Sequence, residues 1–548
     1  MMKMRHLFLA LSLVLSTYSF AQYSWPVATA PALSANFGEL RSNHYHMGLD
    51  ARTEQRENLK VLATETGYVS RVKIEPWGFG RAIYIDHPNG VTSLYAHLND
   101  FYPELENWVT EQQYKNEKWE LDVMVPKELF PVKKGQFIAY SGNTGGSMGP
   151  HLHFELRDTK TEVVLNPLKH GFSIPDNIAP DIIRLALYDR CVSTYEQSPK
   201  MISLSRSGNS YSPSTPELVV NTDKVSFAIT AYDRYTGSTN QNGIYSARLF
   251  SDDILISEFI LDSISYDDTR YLNAHIDYKT KLSGGPYLQH LSRLSGHENG
   301  VYTEAGDGVI SLEGNEFRNI RIEVSDPVGN TSTVSFRIRA ADVLKNPSAT
   351  GSFKMFHPGF INVFESDELK FYLPEKSLYD SFRFVFGKQT SPDGLHIFNL
   401  HKPVVPVHGY FPVSIKADLP IGDTGRVIMK RYYGSKKDFK KAVFENGWYT
   451  SRFREFGNFQ LVIDKTPPTI SGVSKSSSRL YFTITDNTEE LQNFRAELDG
   501  KWLRFSNDKG RAFIYKFDKH CPPGEHALKI YVEDLAGNAS EKTFKFTR

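Results

Sequence analysis

One block of alternating residues occurs twice in this chain and limits what it can fold into. Ile322-Glu323-Val324-Ser325-Asp326-Pro327-Val328-Gly329-Asn330 returns 208 residues later as Ile530-Tyr531-Val532-Glu533-Asp534-Leu535-Ala536-Gly537-Asn538. Phe336 is matched by Phe544. Each copy reads as an alternating strand, an Asp-x-x-Gly-Asn turn and a returning strand, which is a β-hairpin pattern. Upstream, Phe227-Ala228-Ile229-Thr230-Ala231-Tyr232-Asp233 loosely matches Phe482-Thr483-Ile484-Thr485-Asp486, and Ala179-Pro180-Asp181-Ile182 matches Pro467-Pro468-Thr469-Ile470. Repeated short alternating strands predict β-sandwiches of immunoglobulin type over 176–342 and 465–548. The stretch 343–464 also reads as β, without a clear repeat. The 548 residues suggest roughly three to five domains. The 29 Tyr and 36 Phe fit a mainly β chain.

The 63 basic and 63 acidic residues cancel, and without a basic block the chain is not read as a nucleic-acid binder. Two cysteines, Cys191 and Cys521, exclude a disulfide-dense scaffold and a four-cysteine zinc site; whether they pair is left open. Lys3 and Arg5 precede the apolar run Leu7–Leu15, and Ser19-Phe20-Ala21 offers small residues for cleavage. This predicts a signal peptide over 1–21, export, and no membrane span after cleavage. The expected destination is the periplasm, with the cell surface as the alternative.

The segment 22–175 carries the residues able to do chemistry. In His151-Leu152-His153-Phe154-Glu155, polar and apolar residues alternate. On a strand, both imidazoles and the carboxylate share one face. A His-x-His pair alone is more often a surface or structural pair than a metal site. His46 and Asp50 supply further donors suited to zinc, though the pair alone also reads as a solvated loop. His44, two residues earlier, is a competing choice. His97 follows the strand-like run Val91–Tyr95 and reads either as a core histidine or as a second catalytic imidazole. The glycines between Gly142 and Pro150 lack the Gly-Lys-Ser/Thr of a phosphate loop and suit a tight turn presenting the His-Leu-His strand. Between 99 and 131 the strand pattern lapses, predicting a partly helical insertion. The Asp-x-x-Gly-Asn turns each offer too few oxygens for calcium, and turn chemistry accounts for them.

In order, the segments His46-x-x-x-Asp50, Tyr95-Ala96-His97-Leu98 and Gly142-Asn143-Thr144-Gly145-Gly146-Ser147-Met148-Gly149-Pro150-His151-Leu152-His153-Phe154-Glu155 resemble the lysostaphin/LytM-type zinc peptidoglycan endopeptidases. Asn36-Phe37-Gly38, Gly78-Phe79-Gly80, Lys134-Gly135-Gln136 and Asn166-Pro167-Leu168 extend the resemblance over about residues 34–168. The resemblance implies an N-terminal antiparallel-sheet metallopeptidase domain followed by about three β-sandwich domains. It implies Zn2+ held by His46, Asp50 and His153, with His97 and His151 as the catalytic pair, and peptidoglycan as substrate. Three protein ligands leave zinc a position for water, as hydrolysis requires. Glu155 is expected either to orient an imidazole or to serve structure. The C-terminal β domains remain available to an envelope protein partner. Two other functions compete: a non-catalytic or autoinhibited module regulating other wall hydrolases, and a β-domain surface or adhesion protein.

Overall fold

The computed structural model describes residues 23–314, 316–341, 354–391, 394–419, 421–510 and 512–548. The expected signal peptide lies outside the described residues. The fold is mainly β, as expected, with an N-terminal antiparallel-sheet domain followed by further β layers.

The first sheet contains β1 (Leu33–Ala35), β2 (Leu49–Arg52), β3 (Gly67–Ile74), β4 (Arg81–Asp86), β5 (Val91–Ala96), β6 (Leu121–Met124) and β7 (His151–Asp158). These strands run β1-β2-β7-β5-β4-β3-β6, every neighbour antiparallel. A small second sheet of Lys60–Leu62, Phe137–Ser141 and Leu98–Phe101 lies against it. Val61 and Ile138 of the small sheet share one core with Ile83, Tyr95, Leu152 and Phe154 of the large one. The alternation of β7 therefore sends Leu152, Phe154 and Leu156 inward and leaves His151, His153 and Glu155 on the opposite face.

Within the 99–131 stretch, α1 spans Pro103–Asn116, and β6 follows it. Pro103 can start a helix because the first turn has no partner for its missing N–H. Leu105 and Val109, four apart, are buried on one face, and Glu117 ends the helix in the left-handed region. α1 also receives the last sandwich. Arg504 donates to Thr110 and Gln113, Arg495 pairs with Glu117 at 2.7 Å, and the rings of Tyr114 and His520 stack with centroids 3.6 Å apart.

Behind the first domain lie β8 (Asp181–Asp189), β9 (Lys224–Tyr232), β10 (Ser246–Ser251), β11 (Arg318–Ser325) and β12 (Thr331–Ala340). β8 and β9 belong to one sheet, and β10, β11 and β12 to another. They sandwich a core in which Phe227 and Phe336 meet at 5.2 Å. Phe37, Tyr45, Met47 and Val164 of the first domain join this core. Val164–Leu165 also pairs with Ser263–Ile264, carrying the sheet across the junction. Residues 354–464 form two five-stranded antiparallel sheets, plus the short pair Lys354–Phe356 and Phe382–Phe384, around a core rich in phenylalanine. The last sandwich contains β13 (Leu491–Leu498), β14 (Glu525–Asp534) and β15 (Ala539–Thr547). In both repeat hairpins the turn Asp N–H donates to the Asn carbonyl at 3.1 Å. Cys191 is exposed, Cys521 is buried, and both are free thiols.

Three histidines of the first sandwich, His275, His290 and His297, are buried, and burial lowers their pKa values to about 4, 3 and 3. Unfolding releases them to titrate near 6.5, so the unfolded chain takes up protons first as pH falls. The sandwich is expected to hold its stability above about pH 6.5 and to lose it progressively towards pH 4. Hydrogen exchange of β9, corrected for intrinsic rates, should accelerate over that window; exchange unchanged down to pH 4 would contradict this.

Candidate active site

Register brings the predicted residues together. β7 pairs with β2 so that His153 lies directly opposite Asp50. Opposed residues in an antiparallel pair project to the same side, so the carboxylate and imidazole meet. His46 enters from the turn before β2. Gly48 follows two residues later, where an added Cβ would come within 2.3 Å of the Phe154 carbonyl oxygen. Glycine is thus what lets this turn close on β7. His46 Nε2 lies 2.9 Å from Asp50 Oδ1 and 3.0 Å from His153 Nδ1, and His153 Nδ1 lies 3.0 Å from Asp50 Oδ1.

The outer nitrogens of these rings fix which nitrogen faces inward. His46 Nδ1 donates to the Asn36 carbonyl at 2.7 Å, so its Nε2 turns to the cluster. His153 Nε2 donates to Glu155 at 2.9 Å, so its Nδ1 turns there too. Two ring nitrogens and a carboxylate oxygen therefore converge on one point, and positive charge has to sit between them. Burial disfavours the charge on His153, yet Asp50 and Glu155 on either side push its pKa up to about 9. Burial likewise opposes the Asp50 charge, but His46 and His153 hold it well below the usual carboxylate range. All three side chains are buried, and their donor atoms lie close enough to share one metal ion. Two imidazoles and a carboxylate, already desolvated, form a donor set that fits zinc.

His97 and His151 flank this cluster. His97 stands just past β5 with φ 60°, a left-handed kink that swings its ring out of the strand direction. Its ring centroid lies 4.8 Å from that of His151 and 5.9 Å from that of His153. His97 Nδ1 donates to the Thr144 carbonyl and His151 Nδ1 to the Gly149 carbonyl, each at 2.8 Å. Both Nε2 atoms are thereby left as proton acceptors. Burial lowers the His97 pKa to about 3 and also lowers that of His151, so both are neutral near pH 7. All five expected residues thus meet in one place, whereas His44 is exposed and bonds only locally to the Ser42 carbonyl at 2.9 Å.

Two contributors escaped the sequence reading. The sequence places Asn36 in a motif, but nothing there marks it as the group that orients His46. Tyr266 comes from the first sandwich and donates to Glu155 Oε1 at 2.5 Å. Glu155 is fully buried and also accepts from Arg157 at 2.7 Å. Burial would raise its pKa, but Arg157 and His153 bring it down to about 2. Removing the Tyr266 donor weakens the carboxylate that orients His153. Tyr266→Phe is expected to lower zinc affinity about tenfold with the fold intact, measured by competition against a chromophoric chelator. Unchanged affinity would reduce Tyr266 to a packing role.

Residues 44–114 and 122–167 match the model of Peptidase family M23, and residues 354–464 match the Zu5-like domain model. The DD-carboxypeptidase/endopeptidase Mpg of Neisseria meningitidis serogroup B is 31% identical over 131 residues, 24% of this chain and 24% of that protein. The chain thus matches about a quarter of the length of its curated relatives. Among solved structures, a zinc containing peptidase from Vibrio cholerae is 26% identical with TM-score 0.20, over 28% of this chain and 40% of that one. The catalytic domain of the M23 protein EnpA from Enterococcus faecalis is 21% identical with TM-score 0.20, over 26% and 95%. The chain carries an M23 (LytM-type) peptidase domain followed by further β domains, one of them Zu5-like.

Proposed function

We propose that this chain is an exported zinc metalloendopeptidase that hydrolyses peptide bonds in peptidoglycan stem peptides or cross-links, acting in the periplasm. The observation that carries this reading is the convergence of the His46, Asp50 and His153 donor atoms beside the His97 and His151 rings, whose Nδ1 atoms are tied to backbone carbonyls. In this reading His46, Asp50 and His153 hold Zn2+. A zinc ion held there would supply Lewis acidity towards a water and the scissile carbonyl. His97 and His151 move the protons: one takes the proton from the attacking water, and that proton is returned to the departing amine. The Thr144 and Gly149 carbonyls hold both rings in the tautomer this needs. Glu155, steadied by Arg157 and Tyr266, keeps the His153 ring aimed inward. The Neisseria relative is a DD-carboxypeptidase/endopeptidase, which directs the first test to D,D bonds.

The test is incubation of the zinc-loaded mature chain with intact peptidoglycan, followed by mass spectrometry of released muropeptides. New peptide termini are expected, and their identity names the bond. A digest indistinguishable from buffer would overturn the assignment.

Regulation by the tail is a second reading, favoured by one contact. Asp508 accepts from the Gly145 backbone N–H at 2.8 Å, and Lys509 donates to the Ser147 carbonyl at 2.6 Å. The last sandwich therefore grips the loop whose carbonyls orient His97 and His151. Freeing that loop is expected to lower kcat about tenfold in the double variant Asp508→Ala/Lys509→Ala, with zinc content unchanged. A rise in activity instead would identify the contact as an inhibitory latch.

A further inference from the structure

The Asp-x-x-Gly-Asn turn of the first sandwich closes over two more aspartates. Asp176 lies on the segment leaving the peptidase domain, Asp233 just past the end of β9, and Asp326 opens the turn after β11. One carboxylate oxygen from each lies within 4.8 Å of those of the other two. Turn chemistry accounts for Asp326, whose Oδ1 accepts from the backbone N–H groups of Val328, Gly329 and Asn330. It does not account for the rest. Asp233 is 0% exposed, and neither of its oxygens has a hydrogen-bond partner. Asp176 Oδ1 accepts from Ile178 and Thr236, while its Oδ2 is buried without a partner. Asn242 faces Asp233 across an antiparallel bridge, so the two side chains project to one side. Asn242 is also 0% exposed, and its Oδ1 is unpartnered. Arg234, the adjacent cation, pairs with Asp181 instead.

Buried carboxylates at this spacing repel one another, and unpartnered buried oxygens are costly. A cation among them removes both penalties. We propose that Asp176, Asp233, Asp326 and Asn242 form a binding site for a hard divalent cation of the calcium class. The donors are all oxygens, and calcium gathers such ligands at about 2.3–2.6 Å, so ligands across one ion stand ~5 Å apart. Left empty, the cluster pushes the Asp233 pKa up to about 8, through burial and the Asp326 and Asp176 charges.

The last sandwich supplies an internal contrast. Asn538 donates to the Asp464 carbonyl as Asn330 does to that of Asp176, and Ser540 to Pro468 as Ser332 to Pro180. There Asp464 and Asp486 each keep one buried oxygen without a partner, as Asp176 does, but Asn487 bonds the other oxygen of Asp464 and Thr488 that of Asp486. The two copies share a framework, but in the first neither Asp233 oxygen accepts from a side chain, the neighbouring Arg234 N–H being the nearest donor. The site also sits at the joint with the peptidase domain. Gly243, next to Asn242, exchanges two hydrogen bonds with the Asn36 side chain, each 2.8 Å, and the Asn36 carbonyl holds His46. The cation would therefore tie three segments of chain beside a residue that orients the active site.

The test uses the full chain with zinc already bound, so that added calcium reports on this site. Calcium titrated by calorimetry, and terbium followed by luminescence, should each saturate at one equivalent. Millimolar calcium should raise the thermal midpoint by roughly several degrees. Asp233→Asn and Asp176→Asn should each weaken binding by about tenfold or more. Should Asp233→Asn not fold, Asp176→Asn decides, because Asp176 is only partly buried. Absence of both heat and thermal shift at about 10 mM calcium would overturn the proposal, and so would binding undiminished in the variants. A metal-free Asp233→Asn protein more stable than the parent, with no calcium response in either, would identify Asp233 as a buried protonated acid.

Discussion

Replacing His153 with alanine is expected to abolish stoichiometric zinc binding and, with it, hydrolysis. His153 contributes one of the three donors that converge at 2.9–3.0 Å. Without it only His46 and Asp50 remain, and a catalytic zinc site needs three protein ligands. The loss does not stop at one ligand. Glu155 is fully buried and loses its imidazole partner, although Arg157 and Tyr266 still neutralise and bond it. The β7 backbone ladder to β2 and β5 is untouched by side-chain truncation, so the domain should still fold. Metal analysis of the purified variant should give well under one equivalent, with cleavage reduced to that of metal-free protein. A variant that retains a full equivalent of zinc would remove His153 from the ligand set.

His97→Ala and His151→Ala are expected to separate binding from chemistry. Neither ring contributes to the converging triad, so zinc content should stay at one equivalent. Each ring presents an unprotonated Nε2 to the site, oriented by a 2.8 Å bond from Nδ1 to a backbone carbonyl. Loss of a positioned proton-transfer group lowers kcat by about 10²–10⁴. Because the two share one proton-transfer sequence, the double variant should cost less than the product of the single losses. The discriminating comparison is kcat against zinc content in all three variants. Loss of zinc together with activity would make either histidine a ligand.

The candidate site was legible through the order of its motifs, which resemble the lysostaphin/LytM-type peptidases; strand periodicity alone did not assign it. His151, His153 and Glu155 share a face by alternation alone, and the spacing of His46 and Asp50 suits a turn into a strand. Spacing could not show that β2 pairs with β7 in the register that sets Asp50 against His153. Nor could it show that His97 leaves β5 in a left-handed kink. The repeat hairpins likewise marked the chain behind the first domain as β, since each carries its own alternation and turn. Residues 354–464 gave no such signal, because their phenylalanine-rich core is assembled from strands without a repeated motif. Tyr266 and Lys509 were invisible for a different reason. They reach the site from 111 and 362 residues away, through contacts that no local pattern encodes. The aspartate cluster was hidden because Asp326 is explained by its own turn, until the fold sets Asp176 and Asp233 beside it.

The most direct test is to titrate zinc into the metal-free chain while following hydrolysis of peptidoglycan in the same samples. Activity should rise in proportion to bound zinc and stop at one equivalent, and the His153→Ala protein should stay at baseline throughout. Cleavage that proceeds without zinc, or one full equivalent of zinc held by His46, Asp50 and His153 with no bond broken, would contradict the account.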